Sequence, residues 1–97
     1  MATFYALRKI NRLPVGVTTS SSLILPADEQ RKFCVFVNDS NENIYLQLGL
    51  PAVLNEGIRI SANGFSYEID ITNLWVGDVY AIHGGSGAKN LLIMEFS

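Results

Sequence analysis

Short apolar runs separated by turn residues repeat along this chain from residue 32 to residue 96. The runs are rich in Val, Ile, Tyr and Phe, and Asn, Asp, Gly or Ser interrupts them roughly every 8–12 residues. This rhythm is typical of β-hairpins, and no stretch has a helical period long enough to compete with it. The pattern predicts an all-β domain, a β-sandwich of jelly-roll or Ig-like type with about seven to eight short antiparallel strands.

The runs also predict which side chains form the core. Every residue from 33 to 37 is apolar, which is typical of a central strand covered on both faces. Residues 44–48 alternate instead, so that Ile44 points inward and Tyr45 outward. Period-two placement on all the runs predicts a core of Phe33, Val35, Val37, Ile44, Leu46, Leu48, Ile58, Ile60, Tyr67, Ile69, Val79, Ala81, Leu92 and Met94.

The N-terminal segment has a different character. Residues 11–22 contain Pro14, Gly16 and a Thr/Ser tract, which predict a loop that cannot bury itself. Apolar side chains just before this loop would stay in water unless a partner covers them. We therefore expect residues 1–22 to form an extended arm that adds to the sheet edge of a partner, outside a sandwich domain of residues 23–97. The predicted partner contacts of this arm are Phe4, Tyr5, Leu7 and Ile10.

Charge is sparse in this chain and changes the expected set of partners. Charged residues make up 16% of the sequence, against a usual value of about 25%. Seven Lys and Arg residues stand against nine Asp and Glu residues, with no basic cluster suited to phosphates, so we expect no nucleic-acid partner. No apolar run approaches the ~20 residues of a membrane span, so we expect no membrane partner. The surplus of apolar surface predicts contact with another protein chain.

Few residues offer catalytic or metal-binding chemistry, and each has a structural explanation. Cys34 lies in the most apolar run, where a thiol is expected to be buried and inert. His83 precedes a glycine-rich segment, residues 84–89, which predicts a hairpin turn and not a phosphate loop because a strand follows it. Glu68 and Asp70 lie two positions apart, but no further acidic ligand completes a Ca²⁺ site. We expect no catalytic site, no metal and no cofactor.

Strand and turn residues from about residue 31 onward carry a resemblance to a known family. These residues are Asn38-Asp39-Ser40, Ile44 to Gly49, Ala52, Gly57, Gly64, Gly77 to Ile82 and Glu95. In them the chain resembles the small β-sandwich decoration, or cement, proteins of tailed-bacteriophage capsids. The resemblance implies a non-enzymatic virion protein on the capsid surface, often a homotrimer, that binds the major capsid protein after the shell expands.

A second interpretation keeps the same sandwich but gives it a different partner. Tyr45 is predicted on the solvent side of its strand, and Trp75 and Tyr80 follow later in the chain. Such aromatic side chains stack on sugars or anchor interfaces, so Tyr45 and Trp75 are candidate partner-binding residues. A concave aromatic cleft with convergent polar groups would favour a carbohydrate- or receptor-binding module of a phage tail or fibre. A flat apolar patch with an extended arm would favour virion assembly.

Overall fold

Residues 9–97 are the part of the chain that the computed structural model describes, and they fold into β-strands without a helix. The strands are β1 (Ile10–Val17), β2 (Ser22–Leu25), β3 (Phe33–Asn38), β4 (Ile44–Leu48), β5 (Ile58–Ile60), β6 (Ser66–Ile69), β7 (Val79–His83) and β8 (Lys89–Phe96). They form two four-stranded antiparallel sheets with the orders β1-β8-β3-β6 and β2-β7-β4-β5. The predicted all-β sandwich is confirmed.

The strand pairs are nested within one another. β1 pairs with β8, β2 with β7, β3 with β6 and β4 with β5, so the chain forms one long double-stranded ribbon. The pairs β3-β8 and β4-β7 then join segments of this ribbon side by side into the two sheets. An eight-stranded ribbon divided in this way between two sheets is the jelly-roll arrangement. The topology therefore decides between the two sandwich types that the sequence left open.

Side chains from both sheets meet in a single apolar core. Its buried members are Val17, Ile24, Leu25, Cys34, Phe36, Ile44, Leu46, Ile60, Ile69, Val79, Ala81, Leu91 and Ile93. The predicted core residues that pack against this cluster while only partly buried are Leu48, Ile58 and Tyr67. The prediction is thus confirmed for β4, β5, β6 and β7, where one face of each strand is clearly more apolar than the other.

The predicted faces of β3 and β8 are wrong. The inward residues of these two strands are Cys34, Phe36, Asn38, Leu91, Ile93 and Glu95. The outward residues are the predicted core members Phe33, Val35, Val37, Leu92 and Met94. Both alternating sets of side chains are largely apolar in these strands, so the alternation could not show which set points into the core. The inward set even includes polar groups, which the fold satisfies: the Asn38 amide donates to the carbonyl oxygens of Glu42 and Ile60 at 2.7 and 2.8 Å.

The structure also differs from the predicted N-terminal arm. Residues 10–17 form strand β1, which pairs with β8 along its whole length. Leu13 and Val15 pack against the core and Val17 is fully buried, and this burial outweighs the poor strand propensity of a segment with a proline and a glycine. The sandwich therefore includes residues that the prediction had placed in an arm or loop. Residues 1–8 lie outside the described part of the chain, so the predicted contacts of Phe4, Tyr5 and Leu7 stay a prediction.

A buried arginine ties the connection before β3 to β8 and to the loop before β7. The Arg31 side chain is fully buried, and its Nε donates to Glu95 Oε2 at 2.7 Å. Its terminal nitrogens donate to the carbonyl oxygens of Pro26, Trp75 and Gly77 at 2.7, 2.9 and 3.0 Å. Burial of this ion pair is tolerated because the guanidinium is hydrogen-bonded on three sides.

Candidate functional site

The outer side of the β1-β8-β3-β6 sheet presents an apolar surface. Residues directly opposite one another in neighbouring antiparallel strands lie on the same side of a sheet, and the register places outward residues in cross-strand rows. We call this surface the apolar face, and its rows are given from β1 toward β6. The first row is Ile10, Phe96 and Phe33, and the central row is Arg12, Met94, Val35 and Glu68. The third row is Pro14, Leu92, Val37 and Ser66.

Several large side chains of the apolar face are in contact with water. Ile10 is 63% exposed, Leu92 40% and Met94 36%, although Leu92 and Met94 belong to a strand in the middle of the sheet. At one end of the face, the rings of Phe33 and Phe96 pack edge to face with centroids 5.4 Å apart. A shallow groove of about 490 Å³ crosses its centre. A contiguous exposed apolar patch of this kind on a small domain is a candidate interaction site.

Opposite charges flank the apolar face. Arg12 lies on β1 and Glu68 on β6, at the two ends of the central row. Within residues 9–97 neither side chain forms an ion pair. The stem of Arg12 lines the groove, so its methylene groups extend the apolar surface while the guanidinium stays in water.

The free edge of β1 is poorly suited to pairing with another strand. Lys9 and Ser97 exchange two backbone hydrogen bonds, at 2.8 and 2.9 Å, and the two kinds of residue pair alternate along an antiparallel ladder. Pro14 therefore occupies a position whose backbone groups point away from β8, toward the free edge, and it has no N–H to donate there. The remaining edge strands are only three or four residues long, and β2 is irregular in register. Contact through a face is favoured over contact through these edges.

The outer side of the other sheet has a mixed character. We call it the polar face; its central residues are Leu23, Tyr45, Gln47, Arg59, Tyr80 and Ile82. The Tyr45 hydroxyl donates to Asn55 Oδ1 at 3.0 Å. These two residues line a polar depression of about 370 Å³ together with Glu56, Gly57 and Arg59. Tyr80 lies diagonally from Tyr45 on the neighbouring strand.

The predicted site residues do not come together in space. Ile10 lies on the apolar face, Tyr45 lies on the polar face, and Trp75 belongs to neither. The Trp75 indole donates to the carbonyl oxygen of Asp78 at 2.9 Å and its ring packs against the core. A Cβ added to Gly77 would lie 2.7 Å from this ring, so the glycine is needed for the close approach. Trp75 fixes a loop, and the predicted aromatic platform of Tyr45, Trp75 and Tyr80 is not assembled.

Cys34 and His83 have structural surroundings. Cys34 is fully buried, and its burial raises the pKa of the thiol to about 12, so the nucleophilic thiolate is scarce at neutral pH. His83 Nδ1 accepts a hydrogen bond from the Gly85 N–H at 3.0 Å, and Nε2 donates to the Gly87 carbonyl at 2.6 Å. The buried histidine thereby fixes the glycine-rich connection between β7 and β8. The predicted hairpin turn is wrong here, because β7 and β8 belong to different sheets and do not pair with each other.

Of the acidic pair Glu68 and Asp70, only the Asp70 carboxylate accepts local hydrogen bonds within residues 9–97. Asp70 Oδ1 accepts from the hydroxyl and the N–H of Thr72 at 2.6 and 2.8 Å. These hydrogen bonds lower the pKa of Asp70, because they stabilise the charged carboxylate. Among residues 9–97 no group of three or more His, Cys, Asp or Glu side chains is arranged to hold a metal ion.

The sequence missed the residues that make the apolar face, because the outward side chains of β3 and β8 were assigned to the core. A signal was present: residues 33–37 and 91–94 are apolar at every position.

Within residues 9–97 no helix is long and apolar enough to cross a membrane. In comparisons with protein-family models, with curated proteins and with solved structures, the chain finds no significant match.

Proposed function

We propose that this chain is a non-enzymatic structural protein that decorates and stabilises a tailed-phage capsid as a homo-oligomer. The observation that carries the proposal is the apolar face, a contiguous patch that lies outside the core of a sandwich already complete without it. A surface of this kind is suited to a permanent protein neighbour. The sequence resemblance to decoration proteins supplies the class of neighbour, the major capsid protein.

The energetic logic of decoration follows from mass action. A protein that binds the assembled shell, and not the separated capsid subunits, stabilises the shell by an amount that grows with its free concentration over its dissociation constant. Apolar area removed from water contributes roughly 25 cal/mol per Å² to such a contact. No reaction chemistry is needed, which agrees with the structural surroundings of Cys34 and His83.

A carbohydrate- or receptor-binding role is the second candidate, and one observation favours it. The polar depression beside Tyr45 combines an aromatic ring with Asn55 and Arg59, which are the kinds of group that recognise sugar hydroxyls. Its support is weaker than that of the assembly role because Trp75, the largest aromatic side chain, is used to hold a loop.

Co-sedimentation with purified capsids of the phage that encodes the chain tests the proposal. We expect the full-length protein to pellet with expanded shells and not with unexpanded ones. Leu92→Glu on the apolar face should weaken binding at least about tenfold, since it places a charge at a desolvated position. Leu23→Glu is the matched control, because Leu23 is similarly exposed (48%) but lies on the polar face.

Removal of residues 1–8 measures the contribution of the N-terminal segment without cutting into β1. If the full-length protein pellets with neither expanded nor unexpanded shells, the decoration role is wrong. Specific binding on a glycan array that is lost in Tyr45→Ala would instead support the carbohydrate-binding role.

A further inference from the structure

The charges around the apolar face make this surface complementary to itself. Its central row runs from Arg12 on β1 through Met94 and Val35 to Glu68 on β6. A positive group therefore lies on one flank of an apolar centre and a negative group on the other, three strand spacings or about 14 Å apart. Neither group has an opposite charge beside it within residues 9–97.

We infer that the apolar face binds a second copy of this chain, with the copies related by a two-fold axis that lies between the two faces and runs parallel to the strands. Rotation about this axis exchanges the β1 and β6 flanks. Arg12 of each copy then faces Glu68 of the other, and the ion pair forms twice, as in any isologous contact. Stacked sheets lie about 10 Å apart, a gap that two long side chains bridge from opposite sides.

Other arrangements use the same surface less well. A two-fold axis perpendicular to the strands and centred on the same row would place Arg12 over Arg12, so like charges would meet. A cyclic trimer needs two different surfaces on each copy, so the trimer implied by the sequence resemblance would leave the self-complementary pattern unused. Pairing through the edge of β1 is impeded because Pro14 removes an outward donor there.

The centre of the proposed contact resembles the packing inside the sandwich itself. Aligned sheets pack with their strand directions about 30° apart, and their side chains interdigitate. The apolar residues that this contact would bury in each copy are Pro14, Phe33, Val35, Val37, Leu92, Met94 and Phe96. The inference requires only this face and its flanking charges. Because one copy cannot hold both a second copy and the shell on the same face, the dimer is the form of the free protein, and shell binding competes with it.

Sedimentation equilibrium of the full-length protein across a concentration series is the first test. We expect a concentration-dependent species of twice the chain mass. Leu92→Glu should weaken association at least about tenfold, while Leu23→Glu on the polar face should leave it unchanged. A chain that stays monomeric at all concentrations overturns the inference, and so does a trimer; neither result excludes shell binding, which co-sedimentation measures on its own.

Charge reversal tests the axis itself. Arg12→Glu and Glu68→Arg should each weaken the dimer roughly three- to tenfold, because two ion pairs become two like-charge contacts. The double variant should return to the original affinity. In an equimolar mixture of the two single variants, random pairing would make half of all dimers mixed. Native mass spectrometry should find a clearly larger fraction, because both charge contacts are between opposite charges in the mixed dimer and between like charges in each homodimer. A double variant that stays weak, or a statistical mixture, would show that the two-fold arrangement is wrong.

Discussion

The two outer faces of the sandwich differ in chemistry although they cover the same core. The apolar face consists mainly of aliphatic and aromatic side chains, with Arg12 and Glu68 at its flanks. On the polar face, Tyr45 is already hydrogen-bonded to Asn55. Both sheets bury their inner sides in the same core, so a difference in function between the sheets has to come from their outer sides. The comparison shows that side chains able to hydrogen-bond with water are concentrated on one face and apolar side chains on the other, and the proposed protein contact rests on this difference.

The largest expected effect separates the two sides of β3. Cys34 points into the core and Val35 onto the apolar face. We expect a thiol reagent to label Cys34 at least about a thousandfold more slowly in native buffer than in denaturant, because labelling requires opening of the core. In a Cys34→Ala background, Val35→Cys should label readily at protein concentrations where the chain is monomeric.

Rates from a maleimide time course decide this comparison. Rapid native labelling of Cys34 would contradict the assignment of the inner side. Equally slow labelling of Val35→Cys in the monomer would contradict the assignment of the apolar face as an outer surface.

Removal of a buried charge contrasts with removal of an exposed one. Arg31→Met leaves Glu95 buried without its partner and should lower the free energy of unfolding by about 3–5 kcal/mol. Arg12→Met is the control, because Arg12 is exposed on the apolar face and the substitution should change the free energy by less than about 0.5 kcal/mol. Urea denaturation of both variants at a concentration where the chain is monomeric gives the two values, and similar values would contradict the distinction.

A third pair of variants makes the same comparison in the other sheet. Leu46→Ala removes a fully buried side chain and should cost about 2–5 kcal/mol of stability. Tyr45→Phe, one residue away on the polar face, removes only the hydrogen bond to Asn55 and should cost less than about 1 kcal/mol. Thermal or urea unfolding measures both, and a Leu46→Ala variant as stable as the wild type would mean that the wrong face of β4 had been assigned to the core.

Alkaline pH provides a gentler test of the inner side. Burial raises the pKa of Cys34 to about 12, so the folded state holds the thiol neutral. Its contribution to stability is complete below the ordinary thiol pKa of about 8.5 and is lost as pH rises toward the folded value, at up to about 1.4 kcal/mol per pH unit. The difference between the pH profiles of the wild type and Cys34→Ala isolates this effect, and parallel profiles above pH ~9 would contradict it.

The smallest expected effect concerns the edge of the apolar face. Pro14→Ala restores a donor on the free edge of β1 and relaxes the unfolded chain, so it should destabilise the monomer by about 0.4–1 kcal/mol. The same change should increase association through the edge, which light scattering of the Leu92→Glu/Pro14→Ala variant would detect without the contribution of the face. A gain in monomer stability would indicate that the proline is strained in β1.

Sequence reasoning succeeded where one alternating set of side chains was apolar and the other polar. In β4 the contrast between Leu46 and Tyr45 identified the inner face, and the structure confirms it. In β3 the neighbouring residues Val35 and Phe36 are both apolar, so the pattern was equally consistent with either face. The apolar face was missed for this reason: a strand that is apolar on both sides was interpreted as buried on both sides.

The prediction for the N-terminal region was wrong for a different reason. Pro14 and Gly16 are poor strand residues, and their local preference predicted a loop. In β1 the proline occupies a position where no donor to β8 is required, and Leu13 and Val17 supply the burial that holds the strand. Local propensity is a weak prior, and pairing with β8, more than 70 residues away along the chain, overrides it.

The sequence by itself determined the all-β class, the positions of most turns, the inner faces of the alternating strands and the inert character of Cys34, because these depend on local patterning and composition. Only the tertiary structure decided the nested jelly-roll order, the burial of Arg31 with Glu95, and the inward side of β3 and β8. Those features join residues far apart in the chain. In a strand that is apolar on both sides, the alternation of side chains does not identify the inner face. The same long-range pairing places Arg12 and Glu68 on opposite flanks of the apolar face, in a row that runs through β8 and β3.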